Sequence, residues 1–125
     1  MIVLPPTFRV RLVSRKDIDR INAMYRAEYG DGYPYPLRAD MNGRGVRVVA
    51  ELVGEVIAFA RAMEDAGHPG TYELGGMIVD PSYRRSGLAA HMTDLRLIGV
   101  QALGGHVAFA EPICSLPSCA SQRNI

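Results

Sequence analysis

The sequence predicts an α+β domain built on one central sheet. Three observations predict it. Short apolar or alternating runs at Phe8–Val13, Arg47–Leu52, Val56–Ala60 and Tyr72–Asp80 have strand patterning and end at turn residues. Two of them flank Val53-Gly54-Glu55, which reads as an antiparallel hairpin with a tight glycine turn. Apolar residues at helical spacing occur on either side of this block, from Ile18 and from Leu88. Strands and helices interleaved in this order fit a mixed layer architecture.

Length and composition agree with a single domain. The chain has 125 residues, 48% hydrophobic and 22% charged, with 14 Lys+Arg against 13 Asp+Glu. That composition belongs to a globular chain rather than a disordered one. The near-zero balance argues against a nucleic-acid partner, which requires many uncompensated cations. No apolar run reaches the roughly 18 residues of a membrane span, so no membrane association is expected. The start, Met1-Ile2-Val3-Leu4-Pro5-Pro6, lacks the basic and long apolar regions of a secretory signal. With only two cysteines this points to a reduced, cytoplasmic setting.

The elements follow in order. Phe8–Val13 alternates apolar and basic residues, as a half-exposed strand does. Ser14 is a candidate N-cap and Asp17 sits favourably in a first helical turn. Ile18, Ile21, Met24 and Tyr25 continue a helix that Gly30 to Gly32 stops. Tyr33-Pro34-Tyr35-Pro36 is a loop, because each proline holds its predecessor extended, and a short helix can follow it. After the hairpin and an Asp65–Gly70 loop, Tyr72–Asp80 is a strand. Its Gly75-Gly76 pair suggests a bulge or a close approach of another backbone or ligand. Leu88, Met92, Leu95, Gly99 and Ala102 define one face of the strongest helix, widened by Ile98. Gly104-Gly105 ends it, and His106–Ala110 is a last short strand.

The segment with chemical content is Val79-Asp80-Pro81-Ser82-Tyr83-Arg84-Arg85-Ser86-Gly87-Leu88-Ala89, which joins a strand to that helix. A helix N-terminus leaves backbone N–H groups without intrahelical partners and carries the positive end of the dipole. Gly87 removes a side chain where an anion would approach, Ala89 keeps the next contact small, and Arg84 and Arg85 add charge. Several amides converging on one turn suit a pyrophosphate.

Arg84-x-x-Gly87-x-Ala89, preceded by Val79-Asp80-Pro81, resembles the acetyl-CoA-binding motif of the GNAT superfamily of acyl-CoA-dependent N-acyltransferases. The order strand, helix, helix, hairpin, strand before it agrees, and the likeness extends from about Arg9 onward. The resemblance implies a mostly antiparallel twisted sheet with helices on both faces, whose fourth and fifth strands splay apart around the pantetheine arm of acetyl-CoA. Met77, Ile78 and Val79 would pair with the pantetheine, and the amides of Arg85, Ser86, Gly87, Leu88, Ala89 and Ala90 would hold the pyrophosphate beside Arg84. An acceptor amine of a small molecule or peptide would attack the thioester directly. Glu73 would be the general base, with Glu111 as the competing candidate. Tyr29, Tyr33 and Tyr35 would border the acceptor pocket, or serve as packing residues with Tyr25.

Family members commonly continue with a last helix, a tyrosine acid and a final hairpin. Ser121-Gln122-Arg123 resembles the start of that helix, and the sequence stops at Ile125. The expectation is a C-terminally truncated form of the fold, either as a fragment of a longer acyltransferase or with the exposed sheet edge covered in a homodimer. The alternative reading is an inactive module that binds acyl-CoA or a partner chain. A generic phosphate-binding domain explains Gly87 but not the hairpin. His68, His91 and His106 have no metal-ligand spacing, so no metal is expected, and Cys114 and Cys119 read as free thiols.

Overall fold

The computed structural model describes residues 8–32 and 43–110. Glu111, Tyr33, Tyr35, both cysteines, the helix expected after Pro36 and the segment from Ser121 lie outside the described residues. Five strands form one sheet in the order β1-β2-β3-β4-β5. They are β1 (Arg9–Leu12), β2 (Gly45–Leu52), β3 (Glu55–Glu64), β4 (Thr71–Val79) and β5 (Val107–Phe109). The first four pair antiparallel in chain order, and β5 pairs parallel to β4. Helix α1 (Ile18–Tyr29) covers one face and α2 (Leu88–Ala102) the other.

Local sequence explains each element. Ser14 opens the turn before α1, and its N–H donates to Asp17 Oδ2 at 2.8 Å. Gly30 closes α1 at φ +91°, a conformation glycine adopts without strain. Ile18, Ile21, Met24 and Tyr25 are all buried, as their spacing predicts, the last three against Val49, Val56, Phe59 and Ile78 of the sheet. The hairpin turns through Val53 and Gly54, both at positive φ, which matches the twist of the strands it joins. Leu88, Met92 and Val100 of α2 close the opposite core with Val48, Ile57, Ala60 and Tyr72.

The α2 face differs from its predicted composition in two places. Arg96, not an apolar residue, completes the buried series Leu88, Met92, Arg96, Val100. Ile98 is 60% exposed and Ala102 is exposed, so neither belongs to the face. The buried stripe steps by four residues and drifts away from both. Gly99 is required where α2 crosses β2, since a Cβ there would sit 2.7 Å from a Val46 methyl.

The predicted irregularity at Gly75-Gly76 is present. The β3–β4 register shifts between Phe59 and Arg61, and Gly76 has φ +68°. Its effect is to reset side-chain parity. Tyr72, Leu74, Met77 and Val79 all pack on the α2 side, while Ile78 packs on the α1 side. Strict alternation would place Tyr72 and Ile78 on one face.

Candidate functional site

The turn between β4 and α2 is built to expose amides. Asp80 caps a single 3-10 turn (Pro81–Tyr83) by accepting from the Ser82 N–H at 2.9 Å, and its second oxygen accepts from Arg20 Nη2 at 3.1 Å. The Ser82 amide, aided by Arg20, lowers the Asp80 pKa against the opposing effect of burial. Ser86 Oγ donates to the Tyr83 carbonyl at 2.7 Å. Arg85 and Gly87 both have positive φ, +63° and +80°. Alternation of left-handed and ordinary residues turns successive N–H groups toward one concavity. The first α2 hydrogen bond runs from His91 N to Gly87 O at 3.1 Å. Among the described residues no acceptor takes the N–H groups of Arg85, Ser86, Gly87, Leu88, Ala89 or Ala90. A Cβ at Gly87 would meet nothing within 4 Å, so the corner is open.

The two arginines differ. Arg84 turns back from the corner: its Nε donates to the Val79 carbonyl at 3.1 Å, and its Nη2 lies 2.6 Å from Glu28 Oε2 on α1. Arg85 is exposed beside the open amides.

An edge without a strand partner runs from this corner along β4. Strand β5 pairs with β4 only at Thr71–Val107, Tyr72–Ala108 and Glu73–Phe109. Beyond Glu73 no described strand flanks β4 on that side, so Leu74–Val79, including Met77, Ile78 and Val79, has no strand partner there, and its Val79 carbonyl accepts from Arg84 Nε. Glu73 is the last β4 residue with a β5 partner, half-buried, on the α1 face by its alternation with Tyr72 and Leu74.

That face carries further polar groups near the bulge. Tyr25 is buried and donates to the Gly76 carbonyl at 2.5 Å. Tyr29 is exposed and stacks on Tyr25 at 6.3 Å between centroids. Arg61 crosses Gly76, where a Cβ would lie 3.1 Å from its Cγ. Arg47 stands directly opposite Arg61, and burial followed by the Arg61 charge lowers its pKa. On the α2 face, Arg96 donates to the Arg61 carbonyl at 3.0 Å and the Gly75 carbonyl at 3.4 Å. Sequence reasoning missed Arg61 and Arg96. Their only signal is an arginine at a position whose strand or helix neighbours are apolar.

The arrangement offers an anion corner, an unpaired strand edge leading from it and a carboxylate where that edge begins. Among the described residues, no helix is long and apolar enough to cross a membrane.

Comparison with known proteins bears on the same elements. The family model described as acetyltransferase (GNAT) family matches residues 16–97. No curated protein matches the chain. Solved structures match well at low identity. One is AAC(6')-Iy in complex with the bisubstrate analogue CoA-S-monomethyl-acetylneamine, at TM-score 0.74 and 17% identity, covering 94% of this chain and 86% of that one. Another is a GNAT-family acetyltransferase from Staphylococcus aureus Mu50, at TM-score 0.74 and 10% identity, covering 94% and 79%. A third is the aminoglycoside acetyltransferase meta-AAC0020 from an uncultured soil metagenomic sample, in complex with trehalose, at TM-score 0.72 and 11% identity, covering 94% and 84%.

Proposed function

The chain belongs to the GNAT acetyltransferase family, and from that premise we propose that it transfers the acetyl group of acetyl-CoA to the primary amine of a small molecule or peptide. The observation that carries this reading is the set of open amides from Arg85 to Ala90 around the bare Gly87. Unpartnered N–H groups at a helix N-terminus suit the pyrophosphate of CoA, with the exposed Arg85 supplying a counter-charge. Crystal complexes of fold relatives with CoA or a CoA analogue support the choice of co-substrate.

From that corner the pantetheine lies along the strand edge of Val79, Ile78 and Met77, which has no strand partner on that side and offers backbone groups to its amides once the Arg84 side chain yields the Val79 carbonyl. This direction brings the thioester to the bulge at Gly75-Gly76, next to Glu73. The acceptor amine enters from the α1 side, past Tyr29. Glu73 takes the amine proton directly or through a water, the nitrogen bonds to the acetyl carbon, and the C–S bond breaks to release CoA as its thiolate, which takes up a proton from solvent. General-base assistance of this kind is worth about 10²–10⁴ in rate. Arg47 and Arg61 on the entry face make acceptors with a carboxylate as relevant to test as polycationic ones.

Calorimetric titration with CoA tests the reading. Wild-type protein binds CoA, and Gly87→Glu, which puts a like charge and a side chain into the corner, abolishes binding while the circular dichroism spectrum is retained. Undiminished affinity in that variant would remove the argument. Release of thiol from acetyl-CoA with a panel of amines, amino acids, peptides and aminoglycosides then identifies the acceptor class.

A further inference from the structure

The bulge in β4 breaks the hydrogen-bond ladder, and side chains from both faces take over the carbonyls it leaves. On the α2 side, Arg96 is 5% exposed. Its Nη1 bridges the carbonyls of Arg61 and Gly75, which are cross-strand partners next to the register shift. Its Nη2 donates to Thr93 Oγ1 at 2.9 Å. On the α1 side, buried Tyr25 donates to the carbonyl of Gly76. Adjacent residues of one bulge are thus held from opposite faces of the sheet.

Packing alone does not account for Arg96. It occupies a position in the stripe Leu88, Met92, Arg96, Val100 where an apolar residue would fill the core. Among the described residues it has no ion pair, its Nε has no hydrogen-bond partner, and burial lowers its pKa. A buried guanidinium without a counter-charge is costly. What it gains is a rigid double contact to the carbonyls of the bulge.

We propose that Arg96 and Tyr25 are positioning residues that clamp the Gly75-Gly76 bulge from both faces and so fix the strand edge that receives the pantetheine–thioester end of acetyl-CoA. This rests on the acetyl-CoA reading above. The clamp sets the peptide planes at Gly75 and Gly76, and through them the direction of the next free backbone groups at Met77 and the separation of Glu73 from the thioester. Small errors in such placement are costly to a transfer that depends on alignment.

The test compares two ligands by calorimetry: CoA, and 3'-phosphoadenosine 5'-diphosphate, which has the nucleotide and pyrophosphate but no pantetheine. Wild type, Arg96→Met, Arg96→Lys and Tyr25→Phe are titrated with both. Arg96→Met should weaken CoA about tenfold, the effect of losing hydrogen bonds from a charged donor, and leave the nucleotide unchanged. Arg96→Lys should recover part of the CoA loss, and Tyr25→Phe should shift the ratio of affinities in the same direction by less. Equal weakening of both ligands would assign Arg96 a purely structural role and overturn the proposal, as would an unchanged ratio in the folded variants. If Arg96→Met does not fold, the ratios in Arg96→Lys and Tyr25→Phe decide by the same criterion. A wild-type protein that binds neither ligand overturns the acetyl-CoA reading itself and the clamp with it.

Discussion

Asp17 is 3% exposed, yet it is charged. It accepts from both terminal nitrogens of Arg11, at 2.7 and 2.8 Å, and from the Ser14 N–H at 2.8 Å. The Arg11 hydrogen bonds outweigh the opposing effect of burial and hold the Asp17 pKa at about 2, below its ordinary 3.8. The sign of the pH dependence follows. Because the folded value is the lower one, the ionised carboxylate stabilises the fold fully above the unfolded value, and this contribution fades as pH falls from about 4 through about 2. A shift of nearly two units corresponds to about 2 kcal/mol. Urea denaturation should therefore find Asp17→Asn less stable than wild type by about 2 kcal/mol at pH 7, with the gap narrowing toward pH 2. A gap that persists unchanged at pH 2 would contradict the assignment. In the sequence, Asp17 is legible only as a first-turn charge. Its partner Arg11 reads as the solvent side of an alternating strand, and nothing local brings the two together. Arg96 is hidden for a similar reason: a cation within a helix reads as solvated unless its acceptors, on strands distant in the chain, are known.

The helices show what periodicity can and cannot locate. Helix α1 buries the four residues its spacing selects, because its apolar residues are few and lie on one side. Helix α2 is apolar over much of its surface, so spacing leaves its orientation ambiguous, and contact with β2 decides which stripe is buried. Gly99 marks that contact. Alanine there gains up to about 1 kcal/mol of helix propensity, but its methyl would lie 2.7 and 2.9 Å from the two Val46 methyls. Overpacking typically costs about 1–3 kcal/mol. Gly99→Ala is accordingly expected to lower stability by about 1 kcal/mol in chemical denaturation, with Val46→Ala relieving the clash in the double variant. Equal or greater stability in the single variant would show that α2 moves freely over β2. The exposed amides of the turn before α2 were legible, since Gly87 and its neighbours are contiguous. The diversion of Arg84 to Glu28 was not, because it depends on where α1 ends relative to that turn.

Across the molecule, the strand order follows chain order, with α1 between β1 and β2 and α2 between β4 and β5. The meander of β2 to β4 was largely readable from alternation and turns. The parting of β4 from β5 was not readable from those patterns, because it depends on how far α2 carries the chain before it returns. Three residue pairs hold β5, against eight for β2 with β3. Amide hydrogen exchange should reflect this, with β5 exchanging roughly tenfold or more faster than the centre of β3. Equal protection would mean that β5 opens only with global unfolding. The connectivity also sets an order of assembly. A two-residue turn closes β2 onto β3 and a short loop closes β3 onto β4, whereas β1 meets β2 across α1 and β5 meets β4 across α2, each at a larger loop-closure entropy, and β5 is held by the fewest pairs. The seam between β4 and β5 is therefore the last to be sewn and the first to loosen on warming, so heat should take away the grip on a long ligand arm before it melts the meander behind it.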